Sequence, residues 1–341
     1  MNQTQSYHFI GLDIHKNSVT FCELNQLGRT VDHGTLTARK QDLMAFALSR
    51  RCGFVAGLEA TMFTGWVYDV LTPYAAELYV GHPRRLKALT KNKNDRVDAR
   101  MLAKLLRADM FPSCYMASAK VRELRRVLRH RNFLVHEATR MKNRAATILM
   151  EAGVAYTKSK LHGKRYFSEL LDTLEEVPAS VVELLRMTRT NLEMFTAAQR
   201  TLLGALTQHT ALRERVELLK TVGGVGDVTA LTWALEIDNP HRFSNVKRAQ
   251  SYCGLSSAQH ESAGKQWHLP LSKERNPYLQ TALIEAAKLG AFRYDYLARI
   301  RERALDKGNK KNEATLDVAR KLVAYLLAVD KSGTPFVTPE T

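Results

Sequence analysis

Short apolar runs open the chain, and past residue 112 they give way to apolar positions spaced three and four apart. Residues 7–14 and 18–24 read as strands joined by a polar turn, and a third strand near 29–36 follows the turn Asn25-Gln26-Leu27-Gly28. Three strands in quick succession with tight turns predict an antiparallel meander. A helix is expected from Asp42 to Arg51, a buried strand over 53–58, a helix from Gly65 to Ala75, a short strand from Glu77 to Val80, and a basic helix opening near Asn94. The order β-β-β-α-β-α-β-α specifies an α/β domain with a mixed sheet, placed at residues 1–112.

Between Ala117 and Gly153 no glycine or proline interrupts the chain, and Val121, Leu124, Leu128, Leu134, Ala138, Met141, Ala145 and Ile148 recur at helical spacing. One long helix is predicted there and a second helical tract over 180–219, with a polar segment containing Gly163 between them. The pair suits an antiparallel arm or a dimer-forming coiled coil, and residues 113–218 are assigned to this helical region. From 219 to 341 a mainly α-helical domain is expected, entered through Thr221-Val222-Gly223-Gly224-Val225-Gly226-Asp227. A glycine-rich turn running into a helix either seats a phosphate on exposed N–H groups or lets helices pack closely. It lacks the Gly-Lys-Ser/Thr ending of an NTP-binding loop.

Charge narrows the partners. Lys and Arg number 51 against 34 Asp and Glu, a formal charge of +17, which calls for a polyanion, with nucleic acid ahead of a membrane surface. No apolar stretch approaches the roughly 20 residues of a spanning helix, and the first residues resemble no secretory signal, so a cytoplasmic, nucleoid-associated protein without a membrane partner is expected. Cys22, Cys52, Cys114 and Cys253 are widely separated, which indicates neither a zinc site nor a disulfide framework.

Four carboxylates stand out. Asp13 closes the apolar run Phe9-Ile10-Gly11-Leu12, Glu59 closes Phe54-Val55-Ala56-Gly57-Leu58, and Asp95 and Asp98 sit at the start of the basic helix. Singly, each has an ordinary explanation: Asp95 as a helix cap, Asp98 as a first-turn acid near the positive end of the dipole, Glu59 as a loop opener. Together they supply the hard oxygen ligands that Mg²⁺ prefers. Basic residues surround them, with Arg84, Arg85, Lys91, Lys93, Arg96 and Arg100 in one stretch and Lys120, Arg122, Arg125, Arg126, Arg129 and Arg131 along the long helix. Both groups are candidates for phosphate contact. His15 and Lys16 follow Asp13 closely but receive no role, and Trp267 suits core packing better than base stacking.

The strings Ile10-Gly11-Leu12-Asp13-Ile14-His15-Lys16, Leu58-Glu59-Ala60-Thr61 and Lys93-Asn94-Asp95-Arg96-Val97-Asp98-Ala99-Arg100 resemble the RuvC-like DEDD catalytic domain of an insertion-sequence transposase family. That family includes Piv-type DNA invertases and bridge-RNA-guided recombinases. The likeness continues through Val222-Gly223-Gly224-Val225-Gly226, Arg242-Phe243, Tyr252-Cys253-Gly254-Leu255, Glu261-Ser262 and Ser272-Lys273, and so covers nearly the whole chain.

The resemblance implies an RNase H-like N-terminal fold and a metal quartet of Asp13, Glu59, Asp95 and Asp98 holding Mg²⁺, with Mn²⁺ as a substitute. It implies Ser262 as the nucleophile on DNA, although Ala263 stands where the family commonly has glycine, and on its own the segment reads as a polar turn. Implied partners are donor and target double-stranded DNA, a bridge RNA and further copies of the chain as a dimer or tetramer. The competing readings are a metal-dependent junction nuclease that uses water and a non-catalytic nucleic-acid-binding protein whose acids are caps.

Overall fold

A computed structural model of the chain describes residues 7–89, 95–174, 177–262 and 265–338. The chain divides into two compact units, Met1–Arg122 and Glu123–Thr341. The expected helical region from residue 123 onward and the C-terminal domain therefore share the second unit, and residues 113–122 belong to the first.

The first unit is built on a six-stranded sheet of order β3-β2-β1-β4-β5-β6, from β1 (His8–Ile14), β2 (Ser18–Leu24), β3 (Thr30–Thr37), β4 (Phe54–Glu59), β5 (Glu77–Gly81) and β6 (Ser113–Cys114). β1, β2 and β3 form the antiparallel meander that the tight turns predict, while β4 and β5 run parallel to β1, and β6 returns antiparallel. The sheet is mixed. Burial follows position, because β4 lies between two parallel neighbours and keeps Phe54, Ala56 and Leu58 at 0–2% exposure, whereas edge strand β3 alternates half-buried and exposed residues.

The α1 (Lys40–Leu48) and α2 (Thr64–Leu71) helices contribute Leu43, Phe46, Val67 and Leu71 to a core with Ile10, Leu12, Ile14 and Leu58. Side chains alternate along a strand, so Gly11, Asp13, Gly57 and Glu59 project from the opposite face. That face carries α4 (Asp95–Arg107), which follows the short α3 (Pro83–Leu89) and packs Ala99 and Ala103 against Cys22 and Leu24.

The long α5 (Ala119–Glu151) matches the predicted helix to within two residues at each end. In the second unit its C-terminal end packs Ala145, Ile148 and Leu149 against Phe167 and Leu170 of α6 (Lys164–Asp172) and Leu185 near the start of α7 (Ala179–Thr207). This places α5 and α7 antiparallel at that end. The tract expected over 180–219 is two helices, since the chain adopts an extended backbone at His209 (φ −67°, ψ 116°) before α8 (Thr210–Lys220).

The glycine-rich turn joins α8 to α9 (Asp227–Ile237), whose Trp233, Leu235 and Ile237 are fully buried. Gly224 takes a positive φ of +85°, and a Cβ there would lie 3.1 Å from Gly290 Cα. The turn thus serves close packing against α11 (Pro277–Arg293). After α10 (Val246–Tyr252) comes an antiparallel hairpin of β7 (Ser257–Ser262) and β8 (Lys265–Leu271), an addition to the mainly helical domain expected from sequence. Then α12 (Asp295–Asp306) and α13 (Lys311–Ser332) close the unit, with Asp330 accepting two hydrogen bonds from Arg215 at 2.7 Å and one from Trp233 Nε1 at 2.9 Å. Among the described residues no helix is long and apolar enough to cross a membrane.

Candidate active site

Leu12 pairs with Leu58 across parallel strands, so Asp13 and Glu59, each the next residue on, stand level on adjacent strands and on the same face. Each follows a glycine two positions earlier, and those glycines let α4 and its continuation lie against the sheet. A Cβ at Gly11 would overlap the Ala99 carbonyl oxygen and lie 2.6 Å from Ala103 N, and one at Gly57 would meet Phe111 at 2.8 Å. Helix α4 runs antiparallel to β1. Its last residue, Arg107, reaches Gln26 O in the turn beyond β2, while Arg96 meets His33, opposite Cys22 and thus level with Gly11. The first turn of α4, with Asp95 and Asp98, therefore lies toward the end of β1 that bears Asp13.

Three elements distant in sequence thus bring Asp13, Glu59 and Asp98 to one end of one sheet face. The Asp13 side chain is 17% exposed, with His15 Nε2 at 3.2 Å from its Oδ2. His15 is the neighbour that sequence reasoning left without a role. Its signal was the two-residue spacing from Asp13, which returns a side chain to the same face. Asp95 opens α4, but its side chain lies outside the described residues, as do Lys91 and Lys93. The donor set is all hard oxygen and fits Mg²⁺ in chemistry, although among the described residues no three His, Cys, Asp or Glu side chains lie close enough together to hold a metal ion.

Ser262 is the last residue of β7 and pairs with Lys265, so it stands at the tip of the hairpin. Its side chain, Trp267's, and Ala263 and Gly264 lie outside the described residues. The base of the hairpin is anchored. Ser272 N donates to Ser256 O at 3.1 Å, and Asn276, which caps α11, donates through Nδ2 to Glu236 Oε2 at 2.8 Å. Burial beside this anchor pushes the Cys253 thiol far above its ordinary pKa.

The basic residues divide. Arg84 and Arg85 on α3, Arg96 and Arg100 on α4 and Arg126 on α5 are exposed. Three arginines expected to face phosphate have partners within the protein instead. Arg122 bridges to Asp69 and donates to the Ala117 carbonyl. Arg125 donates to Leu235 O at 2.5 Å and to Glu236 O at 3.2 Å. Arg129 makes two 2.8 Å hydrogen bonds to Glu236 and stacks over Tyr278, 4.7 Å from the ring centroid. Burial disfavours the Arg129 charge, yet the Glu236 carboxylate outweighs it and raises the pKa. Glu236 itself has 0% exposure, and such a carboxylate needs this much compensation.

Comparison with known proteins gives two matching family models, a Transposase model over residues 10–153 and the Transposase IS116/IS110/IS902 family model over residues 216–303. The transposase for insertion sequence element IS1111A from Coxiella burnetii is 24% identical, over 82% of this chain and 76% of that protein. A pilin gene-inverting protein from Moraxella bovis is 24% identical over 96% of this chain and 97% of its own length. The transposase for insertion sequence element IS1328 from Yersinia enterocolitica is 22% identical over 96% and 98%.

Proposed function

The chain belongs to the IS110 family of transposases and is a recombinase of the transposase and DNA-invertase class, and on that footing we propose that it cuts and rejoins DNA strands through a serine-linked intermediate. The observation that carries this reading is the convergence of Asp13, Glu59 and the first turn of α4 at one end of the sheet. Strand order β3-β2-β1-β4-β5, with a meander leading into parallel strands, supports an RNase H-like description of the first unit.

In the proposed reaction Asp13, Glu59, Asp95 and Asp98 hold Mg²⁺, or Mn²⁺ in its place. When bound, the cation stabilises charge building on the phosphate and favours the ionised form of an attacking hydroxyl. The hairpin tip presents Ser262, whose Oγ forms an ester bond to phosphorus while the bond from phosphorus to one deoxyribose oxygen breaks; the proton given up by the serine is balanced by the one this oxygen takes on as it leaves as a hydroxyl. Attack by a hydroxyl of a second DNA end then breaks the ester and restores Ser262. Bond energy is retained throughout, so no nucleotide hydrolysis is needed. His15, beside Asp13, orients that carboxylate. Exposed Arg84, Arg85, Arg96 and Arg100 carry the DNA backbone. A bridge RNA selects donor and target, and the protein works as a dimer or tetramer in the bacterial nucleoid.

Denaturing electrophoresis of labelled DNA after incubation with Mg²⁺ and co-purified RNA tests the proposal. Wild type is expected to give a protein-DNA adduct, and Ser262→Ala to lose adduct and strand exchange together, with Ser256→Ala and Ser272→Ala still forming it. Asp13→Asn, Glu59→Gln and Asp98→Asn are expected to lose cleavage while keeping the fold, because each removes an anionic ligand at constant volume. Strand exchange by Ser262→Ala at wild-type level contradicts the serine step and points to water or a DNA hydroxyl as nucleophile.

A further inference from the structure

The second unit contains a cavity of about 640 Å³, bounded by α5, α7, α9 and α11, that the proposed reaction does not use. Its size falls within the roughly 300–1,000 Å³ range of small-ligand pockets and is far larger than a lone phosphate requires. Val135, Leu203, Val228, Ala282 and Ala286 make most of its wall apolar. Gly226, where an added Cβ would meet nothing within 4 Å, opens it at the N-terminus of α9.

The charge within it is unbalanced. The acids in the lining are already engaged, Asp227 with Lys220 at 2.8 Å and Glu285 with Lys288 at 2.7 Å. Arg131 also lines the cavity, and among the described residues it donates one hydrogen bond, from Nη1 to Asn132 Oδ1 at 3.1 Å. Its Nε is buried without a hydrogen-bond partner. Burial lowers its pKa with no opposing carboxylate, unlike that of Arg129 two residues earlier. A half-buried guanidinium with an unpartnered Nε and no carboxylate against it, in an apolar chamber, calls for a ligand with flat apolar faces and an anionic group. An apolar peptide side chain would satisfy the walls and leave Arg131 without a counter-charge.

Beside this chamber, α11 exposes an apolar strip. Leu289 lines the cavity and is 57% exposed, and Phe292, three residues on, is 76% exposed with the Arg301 guanidinium 5.2 Å above its ring. An exposed aromatic ring paired with an arginine is a platform for stacking a base. We propose that the cavity takes one unpaired nucleotide of a nucleic-acid strand, its base between the apolar walls and its phosphate on Arg131, with the adjoining base on Phe292. This inference rests on nucleic acid being the partner of the chain and adds a single-strand subsite within the second unit.

The test uses the full chain carrying Ser262→Ala in EDTA, so cleavage plays no part, and a single-stranded oligonucleotide containing a fluorescent purine analogue. Three further variants are compared: Arg131→Met, Ala282→Phe to fill the chamber while keeping the charge, and Phe292→Ala. Each is expected to weaken binding by about tenfold, the scale of one lost base-stacking contact. The fluorescence change on binding should vanish in the first two. Unfolding curves confirm the fold, and Ala282→Leu replaces Ala282→Phe if the larger side chain is not accommodated. Wild-type affinity in both cavity variants overturns the proposal. So does a loss in Arg131→Met alone, which would mean that the charge acts without the chamber. Competition by deoxyadenosine monophosphate as effective as that of the strand would assign the cavity to a free nucleotide and overturn the strand reading. If filling the cavity lowers the mass in solution while oligonucleotide binding is unchanged, the occupant is a second copy of the chain and the proposal fails. The adduct assay on wild type is a separate measurement, so failure of the serine reaction leaves this result standing or falling on its own.

Discussion

Glu236 is fully buried, while Arg129, its bidentate partner, keeps 42% of its side chain exposed. That asymmetry decides which half of the pair is more costly to remove. Arg129→Ala leaves the carboxylate inside with Asn276 and a distant Arg125 at 3.8 Å, whereas Glu236→Gln leaves an arginine that can turn to water. Breaking a buried pair from one side costs about 3–5 kcal/mol, and the exposure of Arg129 puts the expected loss for Arg129→Ala at the lower end, about 3 kcal/mol. Urea unfolding is expected to rank Arg129→Ala below Glu236→Gln in stability, and the reverse order would show that the carboxylate finds other compensation. The same pair explains a limit on reading side chains from sequence. Arg122, Arg125 and Arg129 look like phosphate ligands on a basic helix, because their partners Asp69 and Glu236 lie up to 110 or so positions away and only folding brings them in. The strand-end positions of Asp13 and Glu59 were legible for the opposite reason. Each ends an apolar run, and the end of a buried strand is a local property.

Gly11 controls where α4 lies on the sheet. A Cβ at this position would strike the backbone of Ala99, and backbone cannot rotate aside as a flexible side chain does. Gly11→Ala must therefore push α4 off β1, at an expected cost of about 1–3 kcal/mol for overpacking, and move Asp98 relative to Asp13. We expect a lower unfolding midpoint and loss of Mg²⁺-dependent cleavage in the fraction that folds. Full cleavage by Gly11→Ala would mean that the helix position does not set the site. The strands were readable because alternation and tight turns are short-range signals, and the long α5 because no glycine or proline breaks it. The β7–β8 hairpin was not, since Gln259-His260-Glu261-Ser262 carries none of the β-branched or aromatic residues that mark strands, and pairing with Lys265–Leu271 defines it. On α7, Leu184, Met187 and Met194 are each 45–55% exposed and fall on one face at spacings of three and seven. If this stripe joins copies of the chain, Met187→Glu with Met194→Glu should lower the mass measured by light scattering without lowering the unfolding midpoint.

A net charge of +17 on 341 residues acts on any polyanion beyond the reach of a single side chain, and it sets how binding responds to salt. Each phosphate neutralised releases condensed counterions, contributing about 0.9 to the slope of log affinity against log salt on duplex DNA. Arg84 and Arg85 are exposed on α3, and Lys91 and Lys93 fall in the segment between α3 and the acid-bearing turn of α4. Replacing all four with glutamine should reduce the magnitude of the slope by up to about 3–4 if each meets a phosphate. Replacing exposed Lys164 and Arg165 of α6 provides the control, because Arg165 already pairs with Glu169 and α6 bears none of the carboxylates assigned to chemistry. The two effects separate in one titration series. A general loss of charge lowers affinity in proportion to the number of cations removed wherever they sit, whereas a built DNA track near the carboxylates makes the α3 set count for far more than the α6 set. Equal slopes for both variants would mean that the chain holds DNA by its overall field, with no track leading to Asp13 and Glu59.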